Sequence, residues 1–475
     1  MYRIFLKQDR YKHELEELTK IFIKPNEYIF YGSADKESPS DFIGLEGEEM
    51  ITIPDFPESH DNNKEKEKSA KNQMKRYLFD ELHKLTGLSP DWGIITGIRP
   101  VKMTQEIMSR GVSVEKAKKI LLEDYYITED KADLLINLCN KQAQIVKKSQ
   151  DHAVGLYLGI PFCPTRCLYC SFTSNQADDK ILNDYLEALY AEISYVSEQM
   201  RLKGWYPETI YIGGGTPTTL NHQQLRDLLV CINNSFDLTH LRELTLEAGR
   251  PDTLTAPKLK EIKNNGVHRI SINPQSMKQE TLKLIGRTHS PEDIIKAFEL
   301  AKEADIPIIN ADIIAGLPEE NEKDFTCTLE KVIDLQPENI TVHTLALKRT
   351  SRLKQIDEGY HYKQGIKVRE MLETSGKLLS EAGYEPYYLY RQKQMIGNFE
   401  NVGYAKPGTE GIYNIRIMEE KQTIIALGAG GISKVYFHAE NRLERVANVS
   451  NHQQYIQRIH EMLKRKEEKL FNIGG

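Results

Sequence analysis

From Gly155 onward the chain alternates short β-rich runs with amphipathic helical patterns, and this alternation constrains the fold more than any other feature. Residues 156–160, 209–212, 243–247, 269–273, 308–314 and 340–345 read as strands. Residues 178–200, 221–233, 256–264, 291–304 and 322–335 read as helices between them. A helix between successive strands predicts a parallel sheet with crossover connections. The repeats fit either a doubly wound α/β sheet or an incomplete (β/α)6 barrel. In both, reactive groups belong at the carboxyl ends of the strands.

The unusual residues fall at those ends. Cys163, Cys167 and Cys170 follow the first strand, and Gly213-Gly214-Gly215-Thr216 follows the second. Glu247 ends the third, with Ala-Gly-Arg-Pro after it. Asn273-Pro-Gln275-Ser ends the fourth, and Asp312 to Gly316 the fifth. His343, Lys348 and Arg349 close the sixth. One shared site would require this alignment.

Three thiols within eight residues can be aimed at one point, whereas Cys139, Cys231 and Cys327 stand alone. A structural zinc site normally closes with four Cys or His ligands, and His152, the nearest histidine, lies on the far side of a strand. A disulfide would use two thiols and strand the third. Six cysteines in 475 residues are no disulfide framework, and the reducing cytoplasm is the expected compartment. An iron–sulfur cluster on three thiolates leaves one iron open to a small chelating molecule. This reading is favoured over zinc and over inert buried thiols. The net charge of -6 argues against a nucleic-acid backbone or an anionic membrane surface as partner. The sequence shows no signal peptide and no membrane-span-like apolar run.

Residues 1–150 read as an α+β accessory domain ending in a helical linker. Strands are expected at 2–6, 28–31 and 50–53, and helices at 101–110, 114–122 and 128–149. Arg99, at a helix start, has the chemistry to bind an anion, although a salt-bridged surface turn is the simpler reading. Residues 151–350 form the core, and 351–475 read as a mixed C-terminal domain. Its charged tail, 462–469, is expected to be solvated.

The CxxxCxxC spacing on such a repeat resembles the radical S-adenosylmethionine enzymes. The stretches beginning at Tyr157, Gly213, Glu247, Arg269, Gly286 and Asp312 resemble the oxygen-independent coproporphyrinogen III oxidase superfamily. The segments Thr96-Gly-Ile-Arg-Pro and Gly403-Tyr-Ala-Lys-Pro-Gly are similar to its HemZ branch. The resemblance implies an incomplete (β/α)6 radical-SAM barrel and a [4Fe-4S] cluster on Cys163, Cys167 and Cys170. It implies S-adenosylmethionine held by Gly213, Gly214, Gly215, Thr216, Glu247, Gln275, Arg287 and Asp312. Tyr157 lies beside the cluster as the catalytic candidate. Read without the resemblance, the glycines could be a tight turn, Glu247 and Asp312 surface ion pairs, Gln275 a helix cap and Arg287 a solvated helix end.

The implied reaction is decarboxylation of coproporphyrinogen III to protoporphyrinogen IX, driven by a 5′-deoxyadenosyl radical. The implied partners are that tetrapyrrole or haem, with an electron donor and acceptor. No nucleic acid or membrane partner is expected. A monomer is expected, since no long heptad run suggests a coiled coil. Two positions depart from the pattern. The decarboxylating members usually carry a fourth cysteine where this chain has Phe172, and a histidine where it has Gly159. Phe172 resembles the haem-chaperone, HemW-like branch. Arg250, Lys348, Arg349 and Arg391 are candidate cations for the propionates. Tyr384, Tyr387, Tyr388 and Tyr390 could line a flat slot or pack a strand.

Overall fold

The structure, a computed structural model, describes residues 1–7, 9–32, 35, 49–54, 56, 64–97, 99–146, 150–170, 175–346, 353, 364–392 and 395–472. It forms two compact units.

The smaller unit comprises Met1–Asn140, His361–Gly365 and Tyr390–Glu400. Strands β1 (Tyr2–Leu6), β2 (Tyr28–Tyr31) and β3 (Glu49–Ile53) pair in parallel in the order β2-β1-β3. Helices α1 (Lys12–Phe22) and α2 (Lys64–Thr86) pack with them. Helices α3 (Pro100–Met108), α4 (Val114–Tyr125) and α5 (Glu129–Ile145) follow, the last few residues of α5 lying beyond the unit. Pro100 opens α3, where a missing N–H costs nothing. Trp92 is buried and donates its indole N–H to Glu400 at 2.8 Å. Arg391 lies over the Trp92 ring and donates to the Ile95 carbonyl at 2.8 Å.

The larger unit comprises Lys141–Tyr360, Ile366–Leu389 and Asn401–Gly475. Strands β4 (Ala153–Ile160), β5 (Tyr206–Gly214), β6 (Glu243–Glu247), β7 (Arg269–Gln275), β8 (Ile308–Ala315) and β9 (Asn339–Thr344) lie side by side in chain order, all parallel. The crossovers carry α6 (Asp179–Lys203), α7 (His222–Ser235), α8 (Ala256–Asn264), α9 (Gln279–Leu284), α10 (Pro291–Glu303) and α11 (Glu322–Asp334). Side chains at Asn221, Ser290 and Asn321 close capping boxes that fix where α7, α10 and α11 begin. This is the expected open (β/α)6 arrangement.

The remaining chain extends the same sheet. After α12 (Gly365–Glu381), β10 (Glu385–Tyr390) and β11 (Asn401–Ala405) build out from β9, with β11 antiparallel to it. After α13 (Ile412–Glu419), β12 (Ile424–Leu427) pairs in parallel with β4. Antiparallel β13 (Ile432–Phe437) and β14 (Arg442–Ala447) follow. The stretch around α13 packs at the amino ends of the strands. Glu243 accepts the Ile412 N–H at 2.7 Å and caps the helix start. Arg416 holds Glu208 through Nε and Nη2 at 2.8 and 3.0 Å.

The expected solvated tail is corrected in part. Within 462–469, Lys466 of α15 (Ile459–Lys466) is buried, as is Tyr455 of the preceding α14 (His452–Gln457). Both meet Glu192 of α6, Tyr455 at 2.5 Å and Lys466 at 2.8 Å. Of the tyrosine group, Tyr384, Tyr387 and Tyr388 are buried and Tyr390 is half-buried, and Tyr387 accepts from Asn414.

Candidate active site

The parallel strands are not uniformly apolar. One face carries Leu156, Leu158, Ile210, Ile212, Leu244, Leu246, Ile270 and Ile272, all fully buried. The alternate face carries Tyr157, Tyr211, Thr245, Glu247, Ser271, Asn310, Asp312, Thr341 and His343. Register places these polar residues side by side: Tyr157 beside Tyr211, Glu247 beside Ser271, Ser271 beside Asn310, Asp312 beside Thr341. A parallel sheet covered on both faces reads as near-continuous apolar runs. Strict alternation means that the second face lines a polar interior.

Within that interior the predicted residues converge. The Tyr211 hydroxyl donates to Glu247 Oε1 at 2.6 Å, and the Gly214 N–H to Oε2 at 3.3 Å. Burial, opposed by the Tyr211 hydrogen bond and reinforced by Asp312, pushes the Glu247 carboxyl up to about 7. Asp312 behaves oppositely. Burial works against its charge, yet His343 at 3.6 Å, Asn310 at 2.7 Å and Thr341 hold it below the ordinary carboxylate value. Neither is a surface ion-pair residue. Tyr157 stacks on Tyr211, and Tyr211 on Tyr413. Burial and then Glu247 raise the Tyr157 hydroxyl above its usual range, so it is a neutral phenol at physiological pH.

The glycine stretch is a cradle. Gly214 has φ +108°, outside the range of other residues, and a Cβ on Gly215 would lie 2.5 Å from the Phe162 carbonyl. Thr216 is buried and points its hydroxyl at Cys163 Sγ, 3.5 Å away. Gln275 is no helix cap. It ends β7 with φ +66° after a register shift, and its buried Oε1 has no hydrogen-bond partner among the described residues. Asn273 Oδ1 is likewise unsatisfied. Strained backbone beside orphaned acceptors is characteristic of a ligand site.

Arg287 is buried, not solvated. It donates to the Asn273 carbonyl at 2.7 Å and the Gly249 carbonyl at 3.1 Å, and reaches the Tyr169 hydroxyl at 3.4 Å. It therefore ties the cysteine loop to the ends of β6 and β7. Arg250, read as a carboxylate ligand, does similar work. It is 2% exposed and gripped by Asp252 through two bonds, and it donates to Thr165 at 2.6 Å and Thr288 at 2.8 Å. Its fork is committed to the loop. Arg391 belongs to the smaller unit and is buried there. Phe172, Lys348 and Arg349 lie outside the described residues. Sequence reasoning missed Tyr211, Thr165, Asp252 and Thr288. The alternation within each strand would have found Tyr211; the other three meet only in the fold.

Burial, together with the neighbouring Cys170 and Cys167, pushes the Cys163 thiol up to about 11, while Thr216 and Arg250 oppose the rise. Cys163 thus lies near both other thiols, just beyond the carboxyl end of β4. Among the described residues no three Cys, His, Asp or Glu side chains close on a single ion position. Ligands to different irons of one cluster need not share such a point. The thiol set, glycine cradle, orphaned Asn273 and Gln275 acceptors and paired carboxylates fit a cluster with a polar organic ligand on its open iron.

The Radical SAM superfamily matches residues 157–332. The oxygen-independent coproporphyrinogen-III oxidase-like protein HemZ of Bacillus subtilis is 37% identical over 474 residues, covering 95% of this chain and 94% of the relative. The haem chaperone HemW of the same organism is 32% identical over 64% of this chain and 76% of the relative. The solved coproporphyrinogen III oxidase HemN of Escherichia coli shares the fold, with a TM-score of 0.53, 22% identity, and 68% and 73% of the two chains covered. The chain belongs to the radical SAM superfamily, whose cofactors are a [4Fe-4S] cluster and S-adenosylmethionine, and within it to the coproporphyrinogen-III oxidase-like family of HemZ.

Proposed function

We propose that the protein oxidatively decarboxylates two propionate side chains of coproporphyrinogen III to vinyl groups, giving protoporphyrinogen IX without oxygen. The observation that carries this reading is the polar strand face ending at the cysteine loop, in a chain similar over nearly its whole length to an oxidase-like protein. With both cofactors bound, reductive cleavage of the sulfonium supplies a 5′-deoxyadenosyl radical able to take one hydrogen atom from carbon. For each propionate, the β-carbon loses that hydrogen, the bond to the carboxylate breaks and CO2 leaves. One electron passes to an acceptor.

The protein's own part is positional. Cys163, Cys167 and Cys170 hold the cluster. Gly213, Gly214, Gly215 and Thr216 let backbone N–H groups approach the methionine end of S-adenosylmethionine. Asp312, held ionised, accepts from ribose hydroxyls, and Glu247 and Gln275 accept from the remaining donors. Arg287 fixes the loop against β6 and β7. Tyr157, kept neutral, orients the reacting group or relays a proton. No helix among the described residues is long and apolar enough to cross a membrane.

A second reading, haem binding without decarboxylation, is favoured by two residues. Phe172 replaces the fourth cysteine. Gly159 replaces the histidine, and a Cβ there would already touch the carbonyls of Leu427 and Ala429. The deciding experiment is anaerobic reconstitution with reductant, S-adenosylmethionine and coproporphyrinogen III. Protoporphyrinogen and 5′-deoxyadenosine are the expected products. Stoichiometric haem binding with no vinyl product would overturn the oxidase reading, and S-adenosylmethionine cleavage that survives Cys167→Ser would overturn the cluster assignment.

A further inference from the structure

The smaller unit contains a cavity of about 810 Å³ between α2 and the start of α3, within the range of ligand pockets, ~300–1,000 Å³. The lining includes the cations Lys68, Lys71, Lys75 and Arg99 together with Tyr11, Tyr125, Met103 and the Ile94–Ile95 turn. Among the described lining residues these four cations stand with two carboxylates, Glu14 and Glu67.

Lys75 is the unusual member. It is 6% exposed, yet no carboxylate pairs with it among the described residues; its ammonium donates only to Thr96 Oγ1, at 3.1 Å. An ammonium has three N–H donors, and a buried cation without a counter-ion is costly. Burial, then Lys71 and, more weakly, Arg391 pull its pKa down to about 8, with only Glu14 opposing. Lys71 is a third exposed and 3.5 Å from Glu14. The N-cap residue Arg99 makes no side-chain capping bond at the start of α3, and Arg99 and Pro100 line the same cavity, so the helix dipole adds to the positive end.

We propose that this cavity binds a small anionic ligand carrying two or more carboxylate or phosphate groups on an apolar body. The anionic groups reach Lys75, Lys71 and Arg99, and the body rests against Tyr11, Tyr125 and Met103. The site lies wholly within the smaller unit and does not depend on the reaction proposed for the larger one. Two sources share this chemistry, a nucleoside polyphosphate and a polycarboxylate porphyrin.

The test is a titration of the full-length, cluster-reconstituted protein with ATP, with coproporphyrin III and with adenosine as the uncharged control. At least one anion is expected to bind saturably and more weakly at high salt. Lys75→Met, which preserves side-chain volume, and Lys71→Glu, at the rim, are each expected to weaken that binding by roughly 10-fold or more. Affinity for S-adenosylmethionine should be unchanged in both. Binding confined to ATP identifies phosphate as the ligand group, and binding confined to coproporphyrin III identifies carboxylate. Affinity weaker than about 1 mM for both anions, equal affinity for adenosine and ATP, or wild-type binding by both variants would overturn the proposal.

Discussion

At the scale of single residues, the site works by giving similar groups opposite environments. Two carboxylates share the interior, and Asp312 is held ionised by His343 and Asn310 while Glu247 is pushed up to about 7 by burial. Glu247 is therefore neutral below about pH 7 and ionised above it. In its proposed role as an acceptor for S-adenosylmethionine, it binds better as the carboxylate. Affinity should strengthen as pH rises through about 7 and weaken as pH falls. In Glu247→Gln this dependence should vanish, with affinity roughly 10-fold lower at pH 8; equilibrium dialysis across the range checks both. Arg250 makes a separate prediction. Arg250→Ala removes bonds to Thr165, Asp252 and Thr288. The loop that presents the thiols should then retain less iron and sulfide after reconstitution, with helix content by circular dichroism unchanged.

At the scale of elements, each central strand has two different faces. The apolar face seats the crossover helices, and the polar face supplies the site. One helix does more than cover the sheet. Glu192 of α6 is fully buried and takes the Gly428 N–H at 2.7 Å, the Asn448 amide at 2.8 Å, the Tyr455 hydroxyl and the Lys466 ammonium. It thereby binds the turn after β12 and the last helices to the start of the barrel. Glu192→Ala would strand a buried ammonium. It should cost about 3–5 kcal/mol, read as a lower urea midpoint, whereas Lys464→Ala on the solvated side of α15 should cost less than about 0.5 kcal/mol.

At the scale of the molecule, the chain forms two compact units, and a ligand that binds one is expected to raise the stability of that unit. The residues proposed to hold the cluster and S-adenosylmethionine belong to the larger unit. Calorimetry of the reconstituted protein should show S-adenosylmethionine raising one unfolding transition and leaving the other in place. The anion proposed for the cavity should raise the other. Residues 401–472 widen the barrel sheet at both edges and pack at its amino end, so truncation after residue 350 should abolish cluster retention as well as lower stability.

The sequence by itself determined the parallel orientation of the central strands, because a helical period between β-rich runs leaves little else; their side-by-side order came from the fold. It also determined which strand ends carry chemistry, since cysteines, glycines and single carboxylates recur at the same place in each repeat. These are local signals, written in neighbours along the chain. Only the tertiary structure decided that Arg250 braces a loop, that Lys466 is buried and that Lys75 faces a cavity. In each case the burial and partners come from elements far apart in sequence. Charge on a side chain is a local property, but whether that charge meets water, a carboxylate or a ligand is set by packing.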